Sequence, residues 1–189
     1  MRVIAGTSRG RRLSAFAGSD VRPTPDRVRE ALFSILQSKL GSFAGIRVLD
    51  LFAGSGALAI EALSRGADSA CLVEQAAESV NLIRENLERC RIGSMANLIK
   101  GDAWHVLPTF SAGSFDLVFV DPPYGQGLAG RALVEAESLK LLSADGILCA
   151  ETGSGESLPE TVGQLHRIDQ RRYGSIMLNF YSYSPEGLT

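Results

Sequence analysis

The chain has 189 residues, of which 45% are hydrophobic and 21% are charged, and its net charge is −2. These values are typical of a soluble globular protein, and no apolar run reaches the roughly eighteen residues that a membrane helix needs. The N-terminus lacks the apolar stretch of a secretory signal, and three separated cysteines form neither a C-x-x-C pair nor a disulfide framework. We therefore expect a cytoplasmic protein, a monomer, without a metal.

The charges are unevenly distributed along the chain. Residues 1–40 contain eight Lys or Arg against three acids, whereas residues 41–189 contain eleven against eighteen. A basic N-terminal arm on an acidic body predicts a polyanion such as a nucleic acid as the partner of the arm. A solvated basic face is the alternative interpretation.

The first forty residues predict a short hairpin, a loop and a helix. The segments "RVIAG" and "RRLSAF" flank a "TSRG" turn. Thr24 fits an N-cap, Pro25 the first helical position and Asp26 an acid of the first turn, so we expect a helix from there to about Leu40. Its apolar face contains Val28, Leu32, Ile35 and Leu36.

From residue 46 onwards, strand and helix patterns alternate. Strands are predicted at 46–52, 69–74, 96–102, 115–121 and 146–151, and helices at 56–65, 75–91 and 128–142. This alternation predicts an α/β fold with a mostly parallel sheet. The final segments "LHRIDQRRYG" and "SIMLNFYSY" predict two strands joined by a Tyr-Gly turn, which add an antiparallel strand.

The first predicted strand leads into a glycine turn, "VLDLFAGSGALAIEAL". Asp50 ends the strand, and Gly54 and Gly56 let the backbone pass close to a ligand at a helix N-terminus. Glu74 ends the second strand, twenty residues after Gly54, where an acid can accept hydrogen bonds from ribose hydroxyls. The same glycine pattern also fits a nicotinamide or flavin site, although Asp50 would repel a pyrophosphate and suits an ammonium group instead.

Two further strands end in polar residues. The third ends in "KGDA", where Asp102 and Ala103 suit an adenine, and the fourth ends in "DPPY". Because ligands bind at the carboxyl ends of strands in open parallel sheets, we expect a ligand site at this edge. Each acid alone could merely begin a turn, but all four in register make that interpretation weaker: Asp50, Glu74, Asp102 and Asp121.

The stretch "LVFVDPPYGQG" has a physical explanation. Tandem prolines fix the backbone and remove two N–H donors, so Asp121 and the Pro122 carbonyl present acceptors from a stiff chain. Tyr124 offers a flat ring nearby. Two acceptors and a stacking surface suit a planar group with an exocyclic amino group, whereas the alternative is a rigid loop that merely ends a strand.

Together these motifs resemble those of class I S-adenosylmethionine-dependent methyltransferases, with "DLFAGSG" similar to motif I and "DPPY" to the motif of amino-group methylases. Nearly the whole chain resembles the RsmD family, which methylates guanine N2 in small-subunit ribosomal RNA. The closer match rests on "RVIAGTSRGRRL", "RPTPDRVREALFSIL", "VLDLFAGSGALAIEALSRGA" and "DLVFVDPPY". The resemblance implies a Rossmann-like fold with a small N-terminal hairpin-and-helix extension, residues 1–43, before a methyltransferase domain, residues 44–189.

The resemblance also implies roles for individual residues. The catalytic motif is Asp121, Pro122, Pro123 and Tyr124. The cofactor would be bound by Asp50, Phe52, Ala53, Gly54, Ser55, Gly56, Glu74, Gln75, Asp102, Ala103 and Thr24. Ribosomal RNA or the 30S subunit, assembled or assembling, would be the partner, contacted by Arg9, Arg11, Arg12, Arg22 and Arg27.

Three other functions stay open at this point: an amino-group methylase acting on tRNA or DNA, an NAD-type dehydrogenase, and a noncatalytic RNA-binding module. Ser175 and Asn179 depart from the residues we expect in the family's C-terminal strands, so the outer substrate contacts are not assigned.

Overall fold

The computed structural model describes residues 1–15 and 25–183. Its helices are α1 (Asp26–Leu40), α2 (Ala57–Ser64), α3 (Ala77–Cys90), α4 (Ala103–Val106) and α5 (Leu128–Ser138). Its strands are β1 (Arg47–Asp50), β2 (Ser69–Glu74), β3 (Ala96–Lys100), β4 (Phe115–Val120), β5 (Leu142–Gly153), β6 (Thr161–Val162), β7 (Leu165–Tyr173) and β8 (Ile176–Ser182). The chain divides into two compact parts, unit 1 (Met1–Ala103) and unit 2 (Trp104–Thr189).

Unit 1 contains three parallel strands in the order β3-β2-β1. Helix α2 packs against β1 and β2, and α3 packs against β2 and β3. Helix α2 is buried from Leu58 to Ser64, as expected for a short helix that is apolar on nearly every side. These contacts fix the point at which the chain leaves β1 and enters α2.

The N-terminal segment is bound to α2 in unit 1. The buried carboxylate of Glu61 accepts hydrogen bonds from the backbone N–H of Ile4 at 2.7 Å and of Ala5 at 3.0 Å. A Cβ at Gly6 would lie 1.7 Å from the Ser64 carbonyl oxygen, so only glycine permits this approach. The predicted hairpin is reduced to one antiparallel bridge between Arg2 and Arg12, because the backbone of this segment forms hydrogen bonds with α2 as well as with itself.

Helix α1 ends at Leu40 as predicted and begins at Asp26, one residue after the predicted first position, because Pro25 is extended, with ψ 145°. Its buried face also contains Arg29, which counts among the basic residues of the arm. One Arg29 amino group, Nη2, donates to the Arg2 carbonyl and to the Asp26 carboxylate. Burial lowers the pKa of Arg29, and this side chain adds no exposed positive charge to the arm.

Unit 2 has the strand order β4-β5-β8-β7-β6. Strands β4 and β5 are parallel, whereas β8, β7 and β6 follow as antiparallel neighbours. The predicted C-terminal strand pair is confirmed as β7 and β8, and the described residues contain one further short strand, β6. Strand β5 begins at Leu142 rather than at 146, because Lys140 takes a left-handed φ of 52° and Leu142 pairs with Phe115.

The predicted fold class is confirmed: parallel strands alternate with helices, and antiparallel strands follow at the C-terminal end. Among the described residues, no helix is long and apolar enough to cross a membrane. The boundary between residues 43 and 44 stays a prediction.

Candidate active site

The carboxyl ends of β1, β2 and β3 form one candidate site, in unit 1. Asp50 is the last residue of β1, Glu74 is the last of β2, and Asp102 follows β3 two residues after Lys100. The parallel register, in which Asp50 pairs with Leu72 and Glu74 with Lys100, brings these three acids to one edge as predicted.

The turn between β1 and α2 is shaped by two glycines. Gly54 and Gly56 have φ values of 56° and 76°, a region that side chains rarely adopt. The turn is tied to β2, because the Ala53 N–H donates to the Val73 carbonyl at 3.0 Å. Phe52 and Ser55, which flank the turn glycines, are half-buried.

Asp50 is buried, with 1% of its surface exposed. Its Oδ2 atom accepts a hydrogen bond from the Ala59 N–H at 3.2 Å, whereas Oδ1 has no partner among the described residues. Burial raises the pKa of Asp50 to about 7; the Ala59 hydrogen bond opposes the shift and the nearby Glu74 charge adds to it. A buried carboxylate oxygen without a partner suits a cationic group of a ligand.

Glu74 connects the end of β2 to the glycine turn. Its Oε2 atom accepts a hydrogen bond from the Gly54 N–H at 2.9 Å, and Oε1 accepts one from the Ala76 N–H at 2.8 Å. A carboxylate has about four acceptor positions, so the fixed Glu74 can still accept hydrogen bonds from hydroxyl groups. Gln75 is exposed next to it, and Ala103 is buried at the start of α4.

The carboxyl ends of β4 and β5 form a candidate site of their own, in unit 2. Asp121 follows β4 directly and is half-buried, Pro122 is buried, and Pro123 is exposed. Because Val120 pairs with Ala150 in parallel register, the residue after Ala150 also reaches this edge. The two ends therefore place a second carboxylate, Glu151, near the predicted catalytic motif.

Sequence reasoning missed Glu151 and Gly153 as partners of Tyr124. The Tyr124 hydroxyl donates a hydrogen bond to Glu151, which is only 4% exposed. A Cβ at Gly153 would lie 3.3 Å from Tyr124 Cδ2, so the absence of a side chain there leaves room for the ring. Tyr124 is itself 44% exposed. The ring is thus held by its hydroxyl and on the side next to Gly153, and part of the side chain stays exposed.

The predicted RNA-binding residues of the arm are partly described. Arg9, Arg12 and Arg27 are exposed, whereas Arg11 is half-buried and donates a hydrogen bond to the Arg89 carbonyl of α3. Thr24 and Arg22 lie outside the described residues.

Comparisons with known proteins show which family the chain resembles. The family model described as conserved hypothetical protein 95 matches residues 1–182. A relative from Escherichia coli strain K12, ribosomal RNA small subunit methyltransferase D, is 32% identical and covers 99% of this chain and 92% of its own length.

Two solved structures are similar to this chain. A hypothetical protein from Thermus thermophilus has a TM-score of 0.80 with 32% identity, and the match covers 96% of this chain and 99% of that one. An RNA methyltransferase from Salinibacter ruber, crystallised with S-adenosyl-L-homocysteine, has a TM-score of 0.65 with 14% identity, covering 89% of this chain and 99% of that one. The second similarity shows the fold alone.

Proposed function

Because the chain belongs to the RsmD family of S-adenosylmethionine-dependent rRNA methyltransferases, whose model matches residues 1–182, we propose that it methylates the exocyclic N2 amino group of a guanine in small-subunit ribosomal RNA. The observation that carries this proposal is Asp121 at the end of β4, followed by two prolines and an exposed tyrosine ring. This motif supplies acceptors for an amino group and a surface for its base.

The unit 1 edge fits the cofactor. The Oδ1 atom of Asp50, which has no partner in the part of the chain that the structure describes, suits the ammonium group of the methionine part, and Glu74 suits the ribose hydroxyls. The Gly54 and Gly56 turn lets a ligand approach the backbone closely. Ala103, buried beside Asp102, suits the adenine. When bound, the cofactor supplies a methyl group already activated on a sulfonium.

The weak partner in the reaction is the amino nitrogen, because its lone pair is delocalised into the guanine ring. Asp121 and the Pro122 carbonyl would accept hydrogen bonds from the two N–H groups of this amino group and direct the nitrogen lone pair at the methyl carbon. These acceptors also favour the positive charge that develops on nitrogen as it bonds to the methyl group. Positioning of this kind contributes up to about 7–11 kcal/mol in favourable cases.

The proton that leaves N2 has an acceptor in the site. After the methyl group is transferred, the Asp121 carboxylate can take this proton, an effect typically of about 10²–10⁴-fold. The base itself must leave its stack to expose the amino group, and Tyr124 then offers it a new stacking surface. Stacking on such a ring contributes about 1–3 kcal/mol per base.

The test is methyl transfer from labelled cofactor to unmethylated 30S particles, naked small-subunit rRNA, tRNA and DNA, followed by mass mapping of the modified nucleotide. We expect N2-methylguanosine in the rRNA of the first or second substrate. Methylation of an adenine or cytosine, or of tRNA or DNA alone, would contradict the proposal. Thermal stabilisation by NAD but not by S-adenosylhomocysteine would remove the methyltransferase assignment as well.

A further inference from the structure

The tip of the β7–β8 hairpin carries a basic and aromatic cluster that the proposed reaction does not use. Arg171 and Arg172 are exposed, and Tyr173 is half-buried next to them. Gly174 turns the chain with φ 62°, and its carbonyl accepts a hydrogen bond from Arg172 Nε at 3.0 Å. We call residues 171–174 the hairpin tip.

Strand register brings the hairpin tip to the same edge of unit 2 as the DPPY motif. Glu151 pairs with Leu178, which pairs with Arg171 on its other side. Gly153 pairs in the same way with Ile176, which pairs with Tyr173. The tip therefore extends the row of strand ends at which Tyr124 lies.

The register also decides which face of the sheet these side chains share. Directly opposed residues of antiparallel strands point to the same face, so Arg171 lies on the face of Glu151, and Tyr173 lies on the face of Gly153. Tyr124 contacts both Glu151 and Gly153. Two strand spacings, about 10 Å in all, separate β5 from β7. An arginine side chain at the tip can thus reach phosphates that flank a base stacked on Tyr124.

The electrostatics of the tip suit an anion. The Arg171 side chain is 57% exposed and pairs with Asp169 at 3.1 Å. Arg171 Nη2 also donates to the other Asp169 oxygen at 3.3 Å, and the exposed guanidinium keeps further N–H donors that a phosphate can accept. Two neighbouring arginines stand out because residues 41–189 as a whole are acidic.

We infer that the hairpin tip is a second RNA-binding surface, distinct from the N-terminal arm. Arg171, on the face of Glu151, binds a phosphate beside the target guanine, and Arg172, which strand alternation places on the opposite face of β7, binds a phosphate farther along the RNA, since a guanidinium binds phosphate oxygens in pairs. Tyr173 packs against the sugar or base beside them. The inference rests on the proposed RNA substrate. It gives unit 2 its own contacts with the RNA segment whose guanine reaches the DPPY motif.

The experiment measures how binding to fluorescently labelled, unmethylated 30S particles depends on salt. The double variant Arg171→Gln with Arg172→Gln is compared with the full-length wild type. Each phosphate contact contributes about 0.7–0.9 to the slope of log affinity against log salt. We expect the slope to become shallower by about 1.4–1.8, so that the loss of affinity between about 50 and about 200 mM salt shrinks roughly tenfold.

Two matched variants accompany this measurement. Arg47→Gln with Arg84→Gln removes the same charge from exposed positions at the start of β1 and in the middle of α3, and it should leave the slope unchanged. Arg171→Lys with Arg172→Lys keeps the charge and should retain most of the slope. All variants should bind S-adenosylhomocysteine as the wild type does. This separates loss of RNA contact from loss of structure.

The outcomes distinguish this inference from the proposed function. An enzyme that methylates guanine but whose slope is unchanged in the Arg171 and Arg172 variant overturns the inference alone. An equal change in the Arg47 and Arg84 variant, or a wild type that does not bind the particle, overturns it too. A slope that falls as expected in a protein that methylates no guanine supports the inference and removes the proposed function.

Discussion

The candidate sites of the two units are built differently. In unit 1, Asp50 is buried and Glu74 is bonded to the backbone of the glycine turn, so both carboxylates are fixed. In unit 2, Asp121 is half-buried, while Pro123 and Tyr124 are exposed. Buried, fixed groups suit a small ligand of one shape, whereas an exposed edge suits a base that belongs to a long RNA. The carboxylates of unit 1 are thus made rigid by burial and hydrogen bonds, whereas the backbone of the unit 2 motif is made rigid by its two prolines.

The largest expected effect is on the unit 2 edge. Asp121→Ala removes the main acceptor and should reduce kcat by about 10²–10⁴-fold, while the affinity for S-adenosylhomocysteine stays near that of the wild type. Single-turnover kinetics and calorimetry measure the two quantities. Asp121→Asn keeps a neutral acceptor oxygen, and an intermediate kcat would indicate that the carboxylate also takes a proton. Wild-type turnover in the alanine variant would refute the role of Asp121.

The converse change lies on the unit 1 edge. Asp50→Asn keeps the shape and an acceptor for the Ala59 N–H but removes the charge. Because hydrogen bonds between charged groups contribute about 1.5–3 kcal/mol, we expect the cofactor Kd to rise about 10- to 100-fold, with kcat at saturating cofactor little changed. If Asp50→Asn reduced kcat and left the Kd unchanged, the contrast between the edges would be lost.

The pH dependence sharpens the same contrast. With a pKa of about 7, Asp50 is largely protonated in mildly acidic solution, so the cofactor Kd should rise about fivefold from about pH 7 to about pH 6. In the cofactor-free protein, folding stability changes with pH in the opposite direction from cofactor affinity, because the raised pKa favours the folded state at low pH. The contribution of Asp50 to the free energy of unfolding is complete below the ordinary carboxyl pKa of 3.8 and is lost as the pH rises through about 7.

Asp50→Asn supplies the control for both pH effects, since the amide does not titrate. Calorimetric titration of the cofactor and denaturant unfolding, each at acidic and mildly alkaline pH, should show weaker pH dependence in the variant. Identical pH profiles for the variant and the wild type would assign the dependence to another group.

The smallest expected effect concerns the Tyr124 platform. Tyr124→Phe removes the hydrogen bond to Glu151, which as a net interaction contributes about 0.5–1.5 kcal/mol, and the KM for RNA should rise about two- to tenfold. Glu151→Ala should have a similar effect. The double variant should be little worse than either single one, because both single changes remove the same hydrogen bond. Glu151→Gln, which keeps an acceptor, should recover most of the loss. Fully additive effects would show that Glu151 acts independently of Tyr124.

Much of the fold could be predicted because its signals are local. The alternation of apolar runs and helical patterns gave strand 69–74 with its final boundaries and the other predicted strands of unit 1 within a few residues. Helix α5 was predicted four residues too long, since the left-handed conformation of Lys140 follows from how the chain returns to pair with Phe115. Arg29 was counted with the basic arm for a similar reason: nothing in the spacing shows that this position is buried.

The sequence by itself determined which strands end in acids and which turns contain glycine or proline, because these are properties of neighbouring residues. Asp50, Glu74, Asp102 and Asp121 could be singled out in this way. Only the tertiary structure decided what lies beside them. The hydrogen bond from Tyr124 to Glu151 and the strand pairing that aligns Arg171 with Glu151 connect residues far apart in the chain. The pKa of Asp50 likewise depends on burial, and burial and strand register arise from packing between distant segments.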